Sequence, residues 1–143
     1  MSVRVQDRNL SKAEFVYNAQ QLVFILTDRL EKYQNKINKN KRYKELAKST
    51  FYSLWNSPLY HANLVYDYCS LASISDNYNE RLQHLSNASK NLKLVERSIE
   101  TLYNKNRSVI KDKFIIVITE KIDKQKALIK GASQYFRNIS CKS

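Results

Sequence analysis

The sequence predicts an all-α protein, an antiparallel up-down-up-down four-helix bundle. Three observations lead to the bundle. Apolar residues recur at alternating spacings of three and four through almost the whole chain. Gly and Pro occur once each in 143 residues, which removes the turn chemistry that hairpins and sandwiches require. Lys, Glu, Gln, Leu and Ala, all suited to helix interiors, are plentiful.

The first helix is predicted over 12–37. Ser11 and Glu14 have capping-box spacing, and Leu10 and Phe15 have the spacing of a hydrophobic staple across the same cap. Val16, Ala19, Val23, Leu26, Leu30, Tyr33 and Ile37 then form its seam. The second helix is expected over 41–72, on a seam of Tyr43, Ala47, Thr50, Leu54, Ser57, His61, Leu64, Tyr68 and Leu71. Pro58 falls inside it and removes a backbone hydrogen bond. A kink near Leu54, or a break between residues 55 and 58, is therefore expected.

Ser75 or Asp76 caps the third helix, predicted over 76–103, with Tyr78, Leu82, Leu85, Ala88, Leu92, Val95, Ile99 and Leu102 inward. Asn106 or Ser108 opens the fourth, over 108–138, with Ile115, Ile118, Ile122, Ile129, Ala132, Phe136 and Ile139 in register. Turns are expected at 38–40, 73–76 and 104–108, and frayed ends at 1–9 and 140–143. Such short connections make neighbouring helices antiparallel. The whole of 1–143 reads as one domain.

The charge is strongly one-sided, with 25 basic residues against 13 acidic and a net charge of +12. A compact fold so charged repels itself, which points to an anionic partner, nucleic acid before lipid. The densest stretch is 29–48, with eight Lys or Arg against two Glu. Lys36, Lys39, Lys41, Arg42 and Lys44 in the turn, with Lys111, Lys113, Lys121 and Lys124 of the fourth helix, are the candidate phosphate contacts. The bland alternative is a solvated turn and face in a chain whose many Asn, Lys, Ile and Tyr reflect genome composition. The longest apolar run, FIIVI at 114–118, is far short of a membrane span. Cys69 and Cys141 have neither CxxC spacing nor a signal peptide before them, and read as free thiols in a reducing cytoplasm.

No catalytic or metal-binding constellation emerges, and no cofactor is expected. A di-iron bundle needs paired Glu-x-x-His motifs. Here His84 follows Glu80 by four, and His61 has no acidic residue within four positions. Gly131 is the only glycine, so there is no phosphate-binding glycine loop. His61 reads as a hydrogen-bonded structural histidine on the seam, and Cys69 as a small core or boundary residue. Tyr17, Tyr52, Tyr60 and Tyr66, with Trp55, are candidates for subunit contacts, where aromatic residues are enriched. The tyrosines could instead stack on bases, or be scattered by composition.

Two stretches carry a resemblance. HLSNASKNLKLVERSIETLYNKNRSVIKDKFIIVITEKIDKQKALIKGASQYF (84–136) resembles the accessory variability determinant family of diversity-generating retroelements. The family's Leu-x2-Ala-x3-Leu-x2-Leu pattern matches Leu85, Ala88, Leu92 and Val95, with Val in place of the last Leu. Ile122-Asp123 and Ile129-Lys130-Gly131 fall at its fourth-helix landmarks, with Ala132 and Ser133 where the family has Gly and Trp. LTDRLEKYQNKINKNKRYKELAKSTFYSLW (26–55) is similar to its Lys-rich turn and flanking helices. The resemblance implies that such bundles assemble into a ring-shaped homo-oligomer, a basic homopentamer without active-site residues. Such an assembly binds RNA or DNA and the element's reverse transcriptase, and supports mutagenic cDNA synthesis. The ribosomal-RNA intervening-sequence proteins share the pattern and imply the alternative, an oligomeric helical scaffold with no polymerase partner.

Overall fold

The computed structural model describes residues 13–39, 45–107 and 109–142, without the side chains of 45–50 and 140–142. Among these residues the chain is all-helical: α1 (Glu14–Lys39), α2 (Glu45–Ile74), α3 (Tyr78–Lys105) and α4 (Asp112–Lys142). They form a four-helix bundle in which each helix packs on its neighbours in sequence and α1 closes onto α4. The expected capping pair at Ser11 and staple at Leu10 lie outside the described residues, as do Asn40, Tyr43 and Ser108.

Helix α1 turns a slightly different face inward than its seam predicts. Phe15, Asn18, Ala19, Leu22, Leu26, Tyr33 and Ile37 are buried, while Val16, Val23 and Leu30 lie half-buried at the flank. Helices α3 and α4 follow their predicted seams closely through Leu85–Leu102 and Ile118–Phe136.

Helix α2 is the correction. Its core stripe is Phe51, Trp55, Pro58, Ala62, Val65, Cys69 and Ala72, one residue beyond the expected seam at every step. Leu54, Ser57, His61, Leu64 and Tyr68 are only half-buried, and Leu71 is exposed. The small residues Ala62, Cys69 and Ala72 let α2 approach α3 closely, where Ala88 is buried, and this is the bundle's most extensive helix pair. The helix also runs without a break across Pro58, whose ring is buried with the stripe. Tertiary packing on α3 outweighs the lost backbone bond.

Two helix starts and one end differ from expectation. Asn77, not Ser75 or Asp76, caps α3, its Oδ1 accepting from the N–H groups of Asn79 (2.8 Å) and Glu80 (3.3 Å). Ser75 instead donates its hydroxyl to the Glu80 carboxylate, and its carbonyl accepts from Arg81 Nε. Asn106 ends α3 rather than opening α4. The Val109 and Ile110 N–H groups both donate to its carbonyl, and their buried side chains plug that end of the bundle before α4 starts at Asp112. Residues 140–142, expected to fray, belong to α4.

A buried polar cluster joins α1, α2 and α4. Asn18 Nδ2 donates to Gln125 Oε1 at 2.8 Å and to the Lys121 carbonyl at 3.2 Å. Gln125 Nε2 donates to the Phe15 carbonyl at 2.7 Å and to Cys69 Sγ at 3.4 Å. Burial pushes the Cys69 thiol up from 9.0 to about 12, against a small opposing pull from the Gln125 amide. Because the folded chain holds that proton more tightly than the unfolded one, the stability from a neutral Cys69 is intact below about pH 9. It should decline as pH climbs toward 12, by up to about 1.4 kcal/mol per pH unit for this one group. Urea midpoints between pH 8 and 11 test this, and Cys69→Ala should make the decline shallower. In a Cys141→Ser background the native thiol should resist iodoacetamide at pH 8 and react once unfolded.

Candidate nucleic-acid interface

Two chain segments 75 or more positions apart meet at one end of the bundle. The last turns of α1 carry Arg29, Lys32 and Lys36 at spacings of three and four, which sets all three on one face. Lys111 and Lys113 flank the start of α4. Together they line a groove of about 420 Å³ whose floor is Tyr33 and Phe114. No carboxylate lines it. Lys32 is paired with Asp28 at 3.1 Å on the exposed surface, whereas Arg29, Lys36, Lys111 and Lys113 have no ion-pair partner among the described residues.

The floor is rigid. Tyr33 makes edge-to-face contacts with Phe51, Trp55 and Phe114 at centroid distances of 6.3, 5.7 and 6.0 Å, and Trp55 stacks on Phe114 at 5.9 Å. The Lys111 N–H lies 3.4 Å from the Tyr33 hydroxyl, at the limit of a hydrogen bond. Burial raises the pKa of that phenol above its ordinary value, while the Lys111 N–H and the nearby Arg29 guanidinium pull it back. The phenol therefore stays neutral at neutral pH and leaves the groove's positive charge uncompensated.

Comparison with protein-family models, with curated proteins and with solved structures yields no match.

Of the residues singled out in the sequence, the structure brings Lys36, Lys111 and Lys113 together and adds Arg29 and Lys32. Lys39 is exposed at the last position of α1. Lys41, Arg42 and Lys44 lie outside the described residues. Lys121 and Lys124 point elsewhere: Lys121 is half-buried, and Lys124 pairs with Glu14 at 3.1 Å at the opposite end of α1. What the sequence reading missed is the pairing of faces. The i, i+3, i+7 spacing of Arg29, Lys32 and Lys36 was visible, but its meeting with the start of α4 was not.

The aromatic candidates divide as well. Trp55 is fully buried inside the chain, so its expected place at a subunit contact is withdrawn. Tyr52 and Tyr66 are half-buried against the core, and the Tyr52 hydroxyl donates to Asn38 Oδ1 at 3.2 Å. Tyr17 and Tyr60 stand out from the surface at 59% and 63% exposure. They are joined there by Phe24, Leu71, Ile74 and Ile116, which the sequence reading did not single out as exposed. His61 is half-buried between α2 and α3, not on the core stripe, and its Nδ1 donates to Asn91 Oδ1 at 3.0 Å. No helix among the described residues is long and apolar enough to cross a membrane.

Proposed function

We propose that this chain is a non-enzymatic, basic accessory protein of the cytoplasm. It binds RNA or DNA through phosphates and partners the reverse transcriptase of a retroelement in mutagenic cDNA synthesis, serving retrohoming and diversification of a target gene. The observation that carries the nucleic-acid part is the groove between α1 and α4. Five cations converge there over an aromatic floor with no acid among the lining residues. Cations in that arrangement neutralise phosphates and give affinity without sequence readout. The polymerase partner rests on the resemblance of residues 26–55 and 84–136 to the accessory variability determinant family.

The bundle is read as up-down-up-down. Tyr33 late in α1 meets Lys111 at the start of α4, while Glu14 at the start of α1 meets Lys124 further along α4. Between α2 and α3 the order reverses in the same way, with Ser57 on Ser98 and His61 on Asn91. The outward Tyr17, Phe24, Tyr60, Leu71, Ile74 and Ile116 supply the apolar surface for assembly into a homopentameric ring.

Mixed-sequence RNA and DNA should bind with log affinity falling linearly in log salt, by about 0.7 to 0.9 per phosphate neutralised. Light scattering at moderate salt should give a mass near five chains. Co-expression with a reverse transcriptase encoded beside it should yield a stable complex. A mass near five chains with no affinity for the polymerase or for nucleic acid would favour the plain helical scaffold instead.

A further inference from the structure

The second strongly basic surface of the bundle lies between α3 and α4. Lys90 and Lys93 on α3 face Lys130 and Arg137 on α4 across a groove of about 540 Å³, larger than the one beside α1. Leu82, Leu85 and Ile129 form its apolar floor, and no carboxylate lines it. Neutral donors stand between the cations, among them Ser89 and Gln134. Hydroxyl and amide donors interleaved with Lys and Arg are the set that positions phosphate oxygens. Lys126 marks the groove's boundary. Its ammonium is taken up by Glu96, and beyond it the same helix pair turns acidic, with Glu96, Glu100 and Asp123 around a separate hollow of about 350 Å³.

That acidic hollow decides what the two basic grooves can do. Along α4, Lys113 and Lys130 are 17 residues apart, about 25 Å at the helical rise. The first groove opens between α1 and α4, the second between α3 and α4, and carboxylates occupy the surface between them on the α3 side. A single short polyanion that follows one groove is turned away before it reaches the other.

We infer that each chain holds two separate phosphodiester segments, one in the α1/α4 groove and one in the α3/α4 groove, and so tethers two nucleic-acid strands or two parts of one folded strand. This rests on the nucleic-acid reading above and adds to it a second site and a stoichiometry.

The test uses the full chain and a mixed-sequence hexanucleotide RNA, titrated calorimetrically at low salt. Two hexanucleotides should bind per chain. The variant Lys90→Gln/Lys93→Gln/Lys130→Gln/Arg137→Gln should bind one, and Arg29→Gln/Lys36→Gln/Lys111→Gln/Lys113→Gln should also bind one. Their combination should bind none, with circular dichroism unchanged throughout. One hexanucleotide per wild-type chain, or a titration untouched by the α3/α4 substitutions, overturns the second site while leaving the first in place. Preferential occupation of the α3/α4 groove by a polyglutamate peptide over RNA overturns it in favour of an acidic protein segment. If neither hexanucleotides nor long RNA bind at all, the second site falls together with the reading beneath it.

Discussion

Trp55→Ala should cost about 3–5 kcal/mol, a large part of the roughly 5–15 kcal/mol that holds a domain of this kind folded. Trp55 is the largest fully buried side chain and touches Tyr33, Phe51 and Phe114, so its removal opens a cavity at the point where α1, α2 and α4 meet. The indole N–H finds no hydrogen-bond partner among the described residues. Trp55→Phe removes that unsatisfied donor and keeps an aromatic ring in the stack, and should cost far less than the alanine. Thermal or urea melts of the two variants check the contrast. Equal losses would show that the stacked ring contributes little and that Trp55 stabilises through contacts phenylalanine does not reproduce. Since Tyr33 and Phe114 also floor the basic groove, the alanine variant should bind RNA more weakly even at temperatures where it remains folded.

Charge removal in the α1/α4 groove should have the largest effect on binding. The variant Arg29→Gln/Lys36→Gln/Lys111→Gln/Lys113→Gln removes the four cations that no carboxylate pairs among the described residues. Lys32 stays, because its exposed pair with Asp28 already occupies it and contributes little. Made in the Lys90→Gln/Lys93→Gln/Lys130→Gln/Arg137→Gln background, where the α3/α4 groove no longer binds, the loss of about four neutralised phosphates should flatten the slope of log affinity against log salt by about 3 and lower affinity near 0.1 M salt about 10²- to 10³-fold. Helical content and melting temperature should hold or rise slightly, since like charges are being removed from one surface. Fluorescence anisotropy with labelled RNA at several salt concentrations reads the result. A slope that stays at the value of that background would return this groove to the status of a solvated surface.

Three of the four helices were legible because each has one apolar stripe and polar residues elsewhere. In α3 the alternation of Leu85, Ala88, Leu92, Val95, Ile99 and Leu102 leaves little choice of face. Helix α2 offered two. Phe51, Tyr52, Leu54, Trp55, Leu59, Leu64, Val65, Tyr66 and Tyr68 surround it, so stripes one residue apart fit the spacing almost equally well. The expected stripe has Leu54, Leu64, Tyr68 and Leu71 but a small and polar middle at Ser57 and His61, while the neighbouring one starts on Phe51 and Trp55. The one that packs ends in Ala62, Cys69 and Ala72, because close approach to α3 rewards small side chains. Pro58 misled for a related reason. Its cost is local and visible in the sequence, while the packing that outweighs it belongs to the partner helix. The candidate site was half legible. Lys36, Lys111 and Lys113 could be named from charge density, but Lys124 turning to Glu14, and the convergence of Arg29 with Lys111, depend on how α1 sits against α4.

The pair of amides at Asn18 and Gln125 has a consequence for how the helices align. Seams of similar aliphatic residues in α1 and α4 would tolerate a slide of one heptad, about 10.5 Å, with little change in apolar burial. After such a slide Asn18 would face Ile118 or Ala132, and Gln125 would no longer reach the Phe15 carbonyl. Each stranded amide would cost roughly 1–3 kcal/mol. Aliphatic side chains at both positions would grip as firmly in several alignments. The amides make one alignment cheaper than the rest, and that alignment is the one that sets Arg29 and Lys36 opposite Lys111.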